Sequence, residues 1–76
     1  MKHVYLSYTK QDELIEHGWN PDEIVDNLMD AFPNNDVAEI ECVNLYYVHF
    51  KVDGVNYLID RDYNIEEDTF INGGIL

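Results

Sequence analysis

The amino-acid sequence predicts an α+β domain in which an N-terminal strand and two short helices pack on one face of an antiparallel β-meander. Three observations predict this: alternating apolar residues near the N-terminus, a helix with capping signals, and an Asp-Gly pair between alternating apolar stretches. A chain of 76 residues buries only about 60% of its unfolded surface and cannot supply a second core. We therefore expect residues 1–76 to form a single domain.

The N-terminal region predicts a strand followed by a short helix. Residues 3–8 read HVYLSY, and every second side chain would face the core: Val4, Leu6 and Tyr8. A helix is expected over about residues 10–17, with Thr9 as its N-cap. Gly18 suits the position just after a helix C-terminus and predicts its end.

A second helix is predicted from residue 21 to the residues before Pro33. Its start carries the signals of a helix N-terminus: the cap Asn20, Pro21 at the first helical position, Glu23 for a capping box, and Trp19 to pack on Ile24. One face is apolar and predicts core residues: Ile24, Val25, Leu28, Met29 and Phe32.

The opposite face of this helix is acidic: Asp22, Glu23, Asp26, Asn27 and Asp30. Like charges four residues apart cost a few tenths of a kcal/mol per pair. Asp30 also lies near the negative C-terminal end of the helix dipole, where a cation is preferred. Local stability would favour a lysine on this face, so the acids indicate another role.

The strongest hairpin signal is Asp53-Gly54, which lies between two alternating apolar stretches. A two-residue turn at this position predicts strands near 46–52 and 55–61. The register follows, with these pairs on one face: Val52 and Val55, Phe50 and Tyr57, Val48 and Ile59.

A further strand is predicted near 37–42, joined by a three-residue turn over 43–45. This turn would pair, again on the apolar face, Cys42 with Tyr46, Ile40 with Val48, and Ala38 with Phe50. A two-residue turn would bury Glu39 and Glu41 instead. The outer face of the meander would carry Glu39, Glu41, Tyr47, His49, Lys51, Asn56, Leu58 and Asp60. In this register Glu39 faces His49 across the sheet.

The C-terminal segment from residue 60 predicts a solvated acidic loop, followed by a short strand at 69–71 and a loose end at Gly73 and Gly74. Its acids are Asp60, Asp62, Glu66, Glu67 and Asp68. Asp60, Asp62 and Asn64 match the start of a calcium loop, but Ile65 and Ile71 stand where that loop needs glycine and glutamate. We therefore expect no calcium site.

Catalytic and metal motifs are not expected. His3, His17, His49 and Cys42 do not share a zinc-ligand spacing. The possible nucleophiles Ser7 and Cys42 have no histidine at a recognisable spacing, and no glycine-rich phosphate loop is present. We predict neither enzymatic activity nor a cofactor. The two helices resemble a helix-turn-helix in outline, but a recognition helix with four acids and no base would be repelled by DNA.

Charge is the most informative property of the composition. Sixteen Asp and Glu against four Lys and Arg give a formal charge of −12, beyond the magnitude of about 2–8 suggested for a soluble small domain. Such charge disfavours direct binding of nucleic acid or of an anionic membrane, and favours a basic partner such as a nucleic-acid-binding protein. The candidate partner-binding residues are Asp22, Glu23, Asp26, Asp30, Asp60, Asp62, Tyr63, Glu66, Glu67 and Asp68, with Tyr63 available to pack on arginine.

The sequence also predicts a cytoplasmic location. Cys42 is the only cysteine, so no internal disulfide can form. The N-terminus lacks the apolar stretch of a signal peptide, and no apolar segment of about 18 residues could span a bilayer.

A strongly acidic single domain with aromatic residues among its carboxylates is similar in general character to phage-encoded inhibitors of the anti-CRISPR and anti-restriction type, which imitate DNA. The resemblance implies blockade of a CRISPR effector or restriction nuclease in the host cytoplasm, without assigning residue roles. The alternative is an interaction module or homodimer that uses the outer sheet face. An apolar patch of Val37, Tyr47 and Leu58, beside Glu39 and Glu41, would form its contact.

Overall fold

The computed structural model of the protein describes residues 3–72. In chain order its elements are β1 (His3–Tyr5), α1 (Tyr8–Glu16), α2 (Pro21–Ala31), β2 (Val37–Val43), β3 (Tyr47–Val52), β4 (Val55–Asp60) and β5 (Ile65–Glu67). The strands form one sheet in the order β1-β2-β3-β4-β5, in which β1 is parallel to β2 and the other neighbours are antiparallel. The predicted α+β class, with an N-terminal strand and a meander, is confirmed.

The hydrophobic core lies between the helices and one face of the sheet. The helical region contributes Leu14, Trp19, Ile24 and Leu28, and the strands contribute Ala38, Ile40, Val48, Phe50, Val52 and Ile59. Phe50 is fully buried, and burial of such a side chain stabilises a fold by about 1.5–3 kcal/mol. We call the opposite face of the sheet the outer face, and neither α1 nor α2 covers it.

α1 begins earlier than the sequence pattern predicts. The Ser7 side chain accepts a hydrogen bond from the Lys10 N–H (3.2 Å) and is the N-cap, so the assignment of Thr9 is wrong. Tyr8 is the first helical residue and is 88% exposed, and does not point inward from a strand. Gly18 ends α1 as predicted, with a φ of +79° that glycine adopts without strain.

α2 follows its capping signals closely. The Asn20 side chain accepts from the N–H of Asp22 (3.0 Å), and Pro21 is the first helical residue. Glu23 does not complete a capping box, because its carboxylate accepts from a tyrosine in another part of the chain. The predicted apolar face is buried at Ile24 and Leu28, whereas Met29 is 40% exposed and does not belong to the core.

The β3–β4 hairpin is confirmed in every predicted pair: Val52 with Val55, Phe50 with Tyr57, and Val48 with Ile59. Asp53 and Gly54 have φ values of +48° and +86°. Both central residues therefore adopt the left-handed conformation of a type I′ turn, which Asp and Gly tolerate better than most residues.

The predicted β2–β3 register is wrong by two residues. Ala38 pairs with Val52 and Ile40 with Phe50, and a β-bulge between Ile40 and Cys42 then shifts the pairing, so that Cys42 pairs with His49 and Val43 with Val48. The extra residue turns Cys42 outward, where it is exposed, and places Val43 against the core. Asn44 stabilises the wider turn, because its side chain accepts from the N–H groups of Tyr46 (2.8 Å) and Tyr47 (2.9 Å).

The C-terminal segment also differs from the prediction. Residues 65–67 form β5 rather than part of a loop, and residues 69–71 lie in a turn rather than a strand. Asn56 is only 7% exposed on the outer face, because Asn72 hydrogen-bonds to its backbone and side chain. The predicted loose end at Gly73 and Gly74 lies outside the described residues.

No helix in the described part of the chain is both long enough and apolar enough to cross a bilayer.

Candidate functional site

The outer side of α2 carries four exposed carboxylates, which we call the α2 acids: Asp22, Glu23, Asp26 and Asp30. α2 turns this side to solvent because Ile24 and Leu28, on its other side, are buried in the core. Residues four apart on a helix lie about 5–6 Å from one another. Asp22, Asp26 and Asp30 therefore form a row along the helix.

The turn between β4 and β5, residues 60–64, carries the next predicted residues. Asp60 Oδ1 accepts hydrogen bonds from the N–H groups of Asp62 (2.9 Å) and Asn64 (3.0 Å), which fixes the turn. Tyr63 has a φ of +61°, in the left-handed region that a bulky residue seldom occupies. This conformation leaves Asp62 exposed and packs Tyr63 against the core.

A hydrogen bond between side chains joins the α2 acids to this turn. The Tyr63 hydroxyl donates to Glu23 Oε2, 40 residues away in the sequence. The Glu23 carboxylate raises the pKa of Tyr63 above its ordinary value of 10.0, first by accepting this hydrogen bond, with desolvation and charge repulsion acting in the same direction. The start of α2 and the β4–β5 turn therefore form one continuous surface.

The end of α2 also lies against the β4–β5 region. The ring of Phe32, the residue that caps α2, has its centroid 4.8 Å from that of Tyr57 in β4. Tyr57 pairs across the sheet with Glu67 of β5. This pairing directs Glu67 to the helix side of the sheet, and Glu67 Oε1 accepts a hydrogen bond from the Asn72 side chain (3.3 Å). We call the resulting set the helix-side surface: the α2 acids, Asp62, Tyr63 and Glu67.

The remaining predicted residues point elsewhere. Glu66 pairs with Leu58 on the outer face and, together with Asp60, lines a small pocket there. Asp68 Oδ1 accepts from the N–H of Ile71 (3.1 Å), so this carboxylate closes the turn after β5. The predicted partner-binding residues thus divide between two faces of the sheet and one structural turn.

No ion pair within residues 3–72 joins a lysine or arginine to the helix-side surface. Within residues 3–72, Lys10 pairs with Glu13 (3.3 Å) and Lys51 with Glu41 (3.4 Å), and the acids of the helix-side surface take part in neither ion pair. Their charges therefore remain available to a partner.

Arg61 has a structural role that the sequence pattern did not reveal. Its guanidinium lies 3.8 Å from the centroid of the Trp19 ring and donates to three backbone carbonyls, those of His17, Gly18 and Leu45. Two of these carbonyls follow α1, at the negative end of its dipole. Trp19 Nε1 donates to the carbonyl of Asn44 (2.8 Å) beside them. Arg61 and Trp19 together tie the α1–α2 turn to the β2–β3 turn.

The predicted pairing of Glu39 with His49 on the outer face is wrong. Glu39 pairs with Lys51 rather than His49, because of the corrected β2–β3 register. The His49 ring instead contacts the Asn56 side chain, with Nε2 2.8 Å from Oδ1. Glu39 and His49 therefore do not face each other across the sheet.

The predicted apolar patch on the outer face is also divided. Val37 pairs with His3 beside the Asp53 turn, whereas Tyr47 pairs with Asp60 at the opposite end of the strands. A strand advances about 3.3 Å per residue, so several residues of polar sheet surface separate Val37 from Tyr47. Tyr47 and Leu58 instead border the small pocket that contains Glu66.

The described residues offer no arrangement typical of a metal or nucleophilic site. Among residues 3–72, no group of three or more His, Cys, Asp or Glu side chains is placed to hold a metal ion. The Ser7 hydroxyl caps α1. Cys42 is exposed on the bulged part of β2.

No protein family, curated protein or solved structure matches the chain.

Proposed function

We propose that this protein is a stoichiometric inhibitor, without enzymatic activity, that binds a basic nucleic-acid-binding protein such as a CRISPR effector or restriction nuclease and occupies its nucleic-acid site. The observation that carries the proposal is the contact between Tyr63 and Glu23, which merges the α2 acids with the β4–β5 turn into one acidic surface. No metal or cofactor takes part in this function.

The geometry of the α2 acids supports imitation of nucleic acid. Asp22, Asp26 and Asp30 are spaced by about 5–6 Å, similar to the spacing of successive phosphates along a strand. Lysine and arginine side chains arranged to hold phosphates could therefore form charge-assisted hydrogen bonds with this row. Asp62 and Glu67 extend the negative charge beyond the helix.

The energetics of α2 favour the same conclusion. Asp30 lies in the last turn of the helix, and that turn has no basic residue. Its charge is therefore unfavourable with the helix dipole and with Asp26 four residues earlier. Acids that lower local stability are expected where a partner needs them. Binding driven by such charges should form quickly and weaken with salt.

A pull-down from a bacterial lysate, followed by competition with nucleic acid, tests the proposal. The immobilised protein should capture a basic nucleic-acid-binding protein at about 50 mM salt and much less at about 500 mM. The purified partner should then lose labelled nucleic acid when the protein is added.

Two triple variants with the same net charge separate a specific surface from general acidity. The variant Asp22→Asn, Asp26→Asn, Asp30→Asn should compete at least about tenfold more weakly, mainly through a slower association rate. The control variant Asp12→Asn, Glu16→Gln, Glu39→Gln removes three exposed acids outside the helix-side surface and should compete almost normally. Equal losses in both variants would contradict the proposal.

A further inference from the structure

The outer face has a small pocket at the end of the sheet where the β2–β3 and β4–β5 turns meet. Its volume is about 150 Å³, and its lining residues are Tyr46, Tyr47, Leu58, Asp60, Asn64 and Glu66. We propose that this outer pocket holds one arginine side chain of the basic partner. The inference rests on the proposed function for the source of that arginine, and it places a second contact on the opposite side of the sheet from α2.

The volume of the outer pocket matches a single side chain better than a small-molecule ligand. Pockets for small-molecule ligands usually measure about 300–1,000 Å³, and a water molecule in the liquid occupies about 30 Å³. A space of about 150 Å³ is too small for a typical substrate and is sufficient for several waters or one long side chain.

The aromatic rings and carboxylates that line the outer pocket favour binding of a planar cation. Tyr46 is 76% exposed and Tyr47 is 39% exposed, so two aromatic rings face solvent at this end of the sheet. The strand pairing places Asp60 opposite Tyr47, and Glu66 opposite Leu58. A guanidinium can stack on an aromatic ring and donate two parallel hydrogen bonds to a carboxylate, whereas a lysine ammonium acts as a point charge.

The backbone around the outer pocket is fixed before any partner binds. Asn44 Oδ1 accepts from the N–H groups of Tyr46 and Tyr47. Asp60 Oδ1 accepts from two N–H groups of its own turn, and Oδ2 makes no hydrogen bond with the other described residues. A pocket with a fixed backbone loses less conformational entropy on binding, which favours recognition of a single side chain.

The basic side chains within residues 3–72 are engaged elsewhere. Arg61 follows Asp60 directly, but its guanidinium is stacked on Trp19 and bonded to backbone carbonyls. Lys10 and Lys51 form ion pairs with Glu13 and Glu41. Arg61 is the one arginine in the sequence, so an arginine side chain in the outer pocket comes from another molecule.

Titration with short peptides, followed by NMR of backbone amides, tests the inference without the partner. The probe is acetyl-Gly-Arg-Gly-amide at low salt, and the comparison peptide has lysine in place of arginine. The arginine peptide should shift the amide signals of Tyr46, Tyr47, Leu58 and Glu66, and should bind several-fold more tightly than the lysine peptide.

Variants identify the groups that hold the arginine. Tyr46→Ser and Glu66→Gln should each weaken binding of the arginine peptide by about tenfold, whereas Tyr46→Phe should retain it because the ring remains. Asp12→Asn, which removes an exposed acid of α1, is the matched control and should bind normally. Circular dichroism confirms that each variant is folded.

Three outcomes would overturn the inference: equal binding of both peptides, shifts spread over the α2 acids, or a loss in Glu66→Gln no greater than in Asp12→Asn. Light scattering that gives a dimer mass, with concentration-dependent shifts at Tyr46 and Tyr47, would assign the outer pocket to a second copy of the chain instead. The α2 triple variant tests the proposed function separately. Failure of the peptide titration alone removes the arginine site and leaves the inhibitor proposal intact.

Discussion

The hydrogen bond between Tyr63 and Glu23 decides whether the acids of α2 and of the β4–β5 turn act as one surface. It also gives Tyr63 a property that can be measured. The pKa of Tyr63 is raised because the Glu23 carboxylate accepts a hydrogen bond from the phenol hydroxyl, and because desolvation and repulsion by the carboxylate disfavour a phenolate. A raised pKa in the folded state stabilises the fold below the ordinary value of 10.0, and this contribution is lost as pH rises through the folded pKa.

Glu23→Gln should therefore lower the pKa of Tyr63 toward its ordinary value. The amide can still accept a hydrogen bond but carries no charge. NMR titration of the Tyr63 ring carbon measures the shift, and Asp26→Asn, one turn farther along α2, is the control. The stability difference between the native protein and Tyr63→Phe should also narrow above about pH 10. An unchanged Tyr63 pKa in Glu23→Gln would show that this contact does not form in solution.

Arg61 stabilises the fold through carbonyls from two separate turns. Arg61→Ala should reduce the free energy of unfolding by about 1.5–2 kcal/mol, from about 0.5–1 kcal/mol for an exposed cation–π contact and about 1 kcal/mol for hydrogen bonding. The stability of Arg61→Lys should lie between those of the native protein and Arg61→Ala, because a lysine ammonium lacks the planar set of donors that reaches all three carbonyls. Urea unfolding followed by Trp19 fluorescence measures both. Equal stability of Arg61→Lys and the native protein would contradict a specific role of the guanidinium hydrogen bonds.

The sequence could not have revealed this role of Arg61. Its partners are main-chain carbonyls at residues 17, 18 and 45, and backbone acceptors have no residue-type signature. By contrast, the cap at Asn20 was predictable, because an N-cap depends only on residues within the same helical turn.

At the scale of elements, α2 places an acid at each end of its dipole. Asp30→Lys should raise the free energy of unfolding by about 0.3–1 kcal/mol, since a cation near the C-terminus is favourable. Asp22→Lys makes the same change in net charge near the N-terminus and should lower stability by a similar amount. Thermal unfolding measures both. Under the proposed function both variants should also weaken capture of a basic partner, so that Asp30→Lys would gain stability while losing binding. An Asp30→Lys variant that binds normally would remove Asp30 from the interface.

The β3–β4 hairpin has a carboxylate with three donors. Asp53 accepts from the N–H of Val37, the side chain of Asn35 and the N–H of Asp36, in that order of effect, and these bonds hold the pKa of Asp53 below its ordinary value of 3.8. A lowered pKa stabilises the fold above the ordinary value, and the contribution is lost as pH falls through the folded pKa.

Asp53→Asn should reduce the unfolding temperature at neutral pH. Asn-Gly retains the type I′ turn, so the change removes the charged acceptor while preserving the turn conformation. The difference from the native protein should shrink below about pH 4 as Asp53 becomes protonated. Asp62→Asn, an exposed acid in the other turn, is the control for loss of one charge. A difference that persists unchanged at pH 2 would contradict this account.

The two hairpins of the meander show what the sequence can predict about elements. Asp53-Gly54 specifies both the turn and the register of β3 and β4, because its two left-handed residues allow little else. The bulge beside Ile40 gives no comparable signal, since it depends on how Val43 packs in the core and how Asn44 binds the next N–H groups. Its effect was to exchange Cys42 for Val43 on the inner face.

For the whole molecule, net charge was predictable and its placement was not. The composition gives a charge of −12. The sequence suggested that the C-terminal acids form one acidic tail. In the structure β5 directs Glu66 to the outer face and Glu67 to the helix side. A three-residue strand with two acids is too short and too polar for its pattern to be distinguished from a loop.

Self-repulsion on a molecule only 35 Å long should make stability depend on salt. Raising NaCl from about 0.01 M to about 0.1 M shortens the Debye length from about 30 Å to about 10 Å. The unfolding temperature should rise over this range, while affinity for the proposed basic partner should fall. The Asp22→Asn, Asp26→Asn, Asp30→Asn variant, with three fewer negative charges, should respond less to salt. A native unfolding temperature that is constant or falls would show that repulsion is unimportant.

The order of strands in the sheet has a consequence for how the protein folds during synthesis. Each of the strands β3, β4 and β5 pairs with the strand made just before it, so the meander can grow by successive local hairpins. β1 and the two helices leave the ribosome first, yet their apolar faces need β2–β4 to cover them. The nascent chain should therefore stay unfolded until β4 has been added, and the helix-side surface can form only once Tyr63 follows.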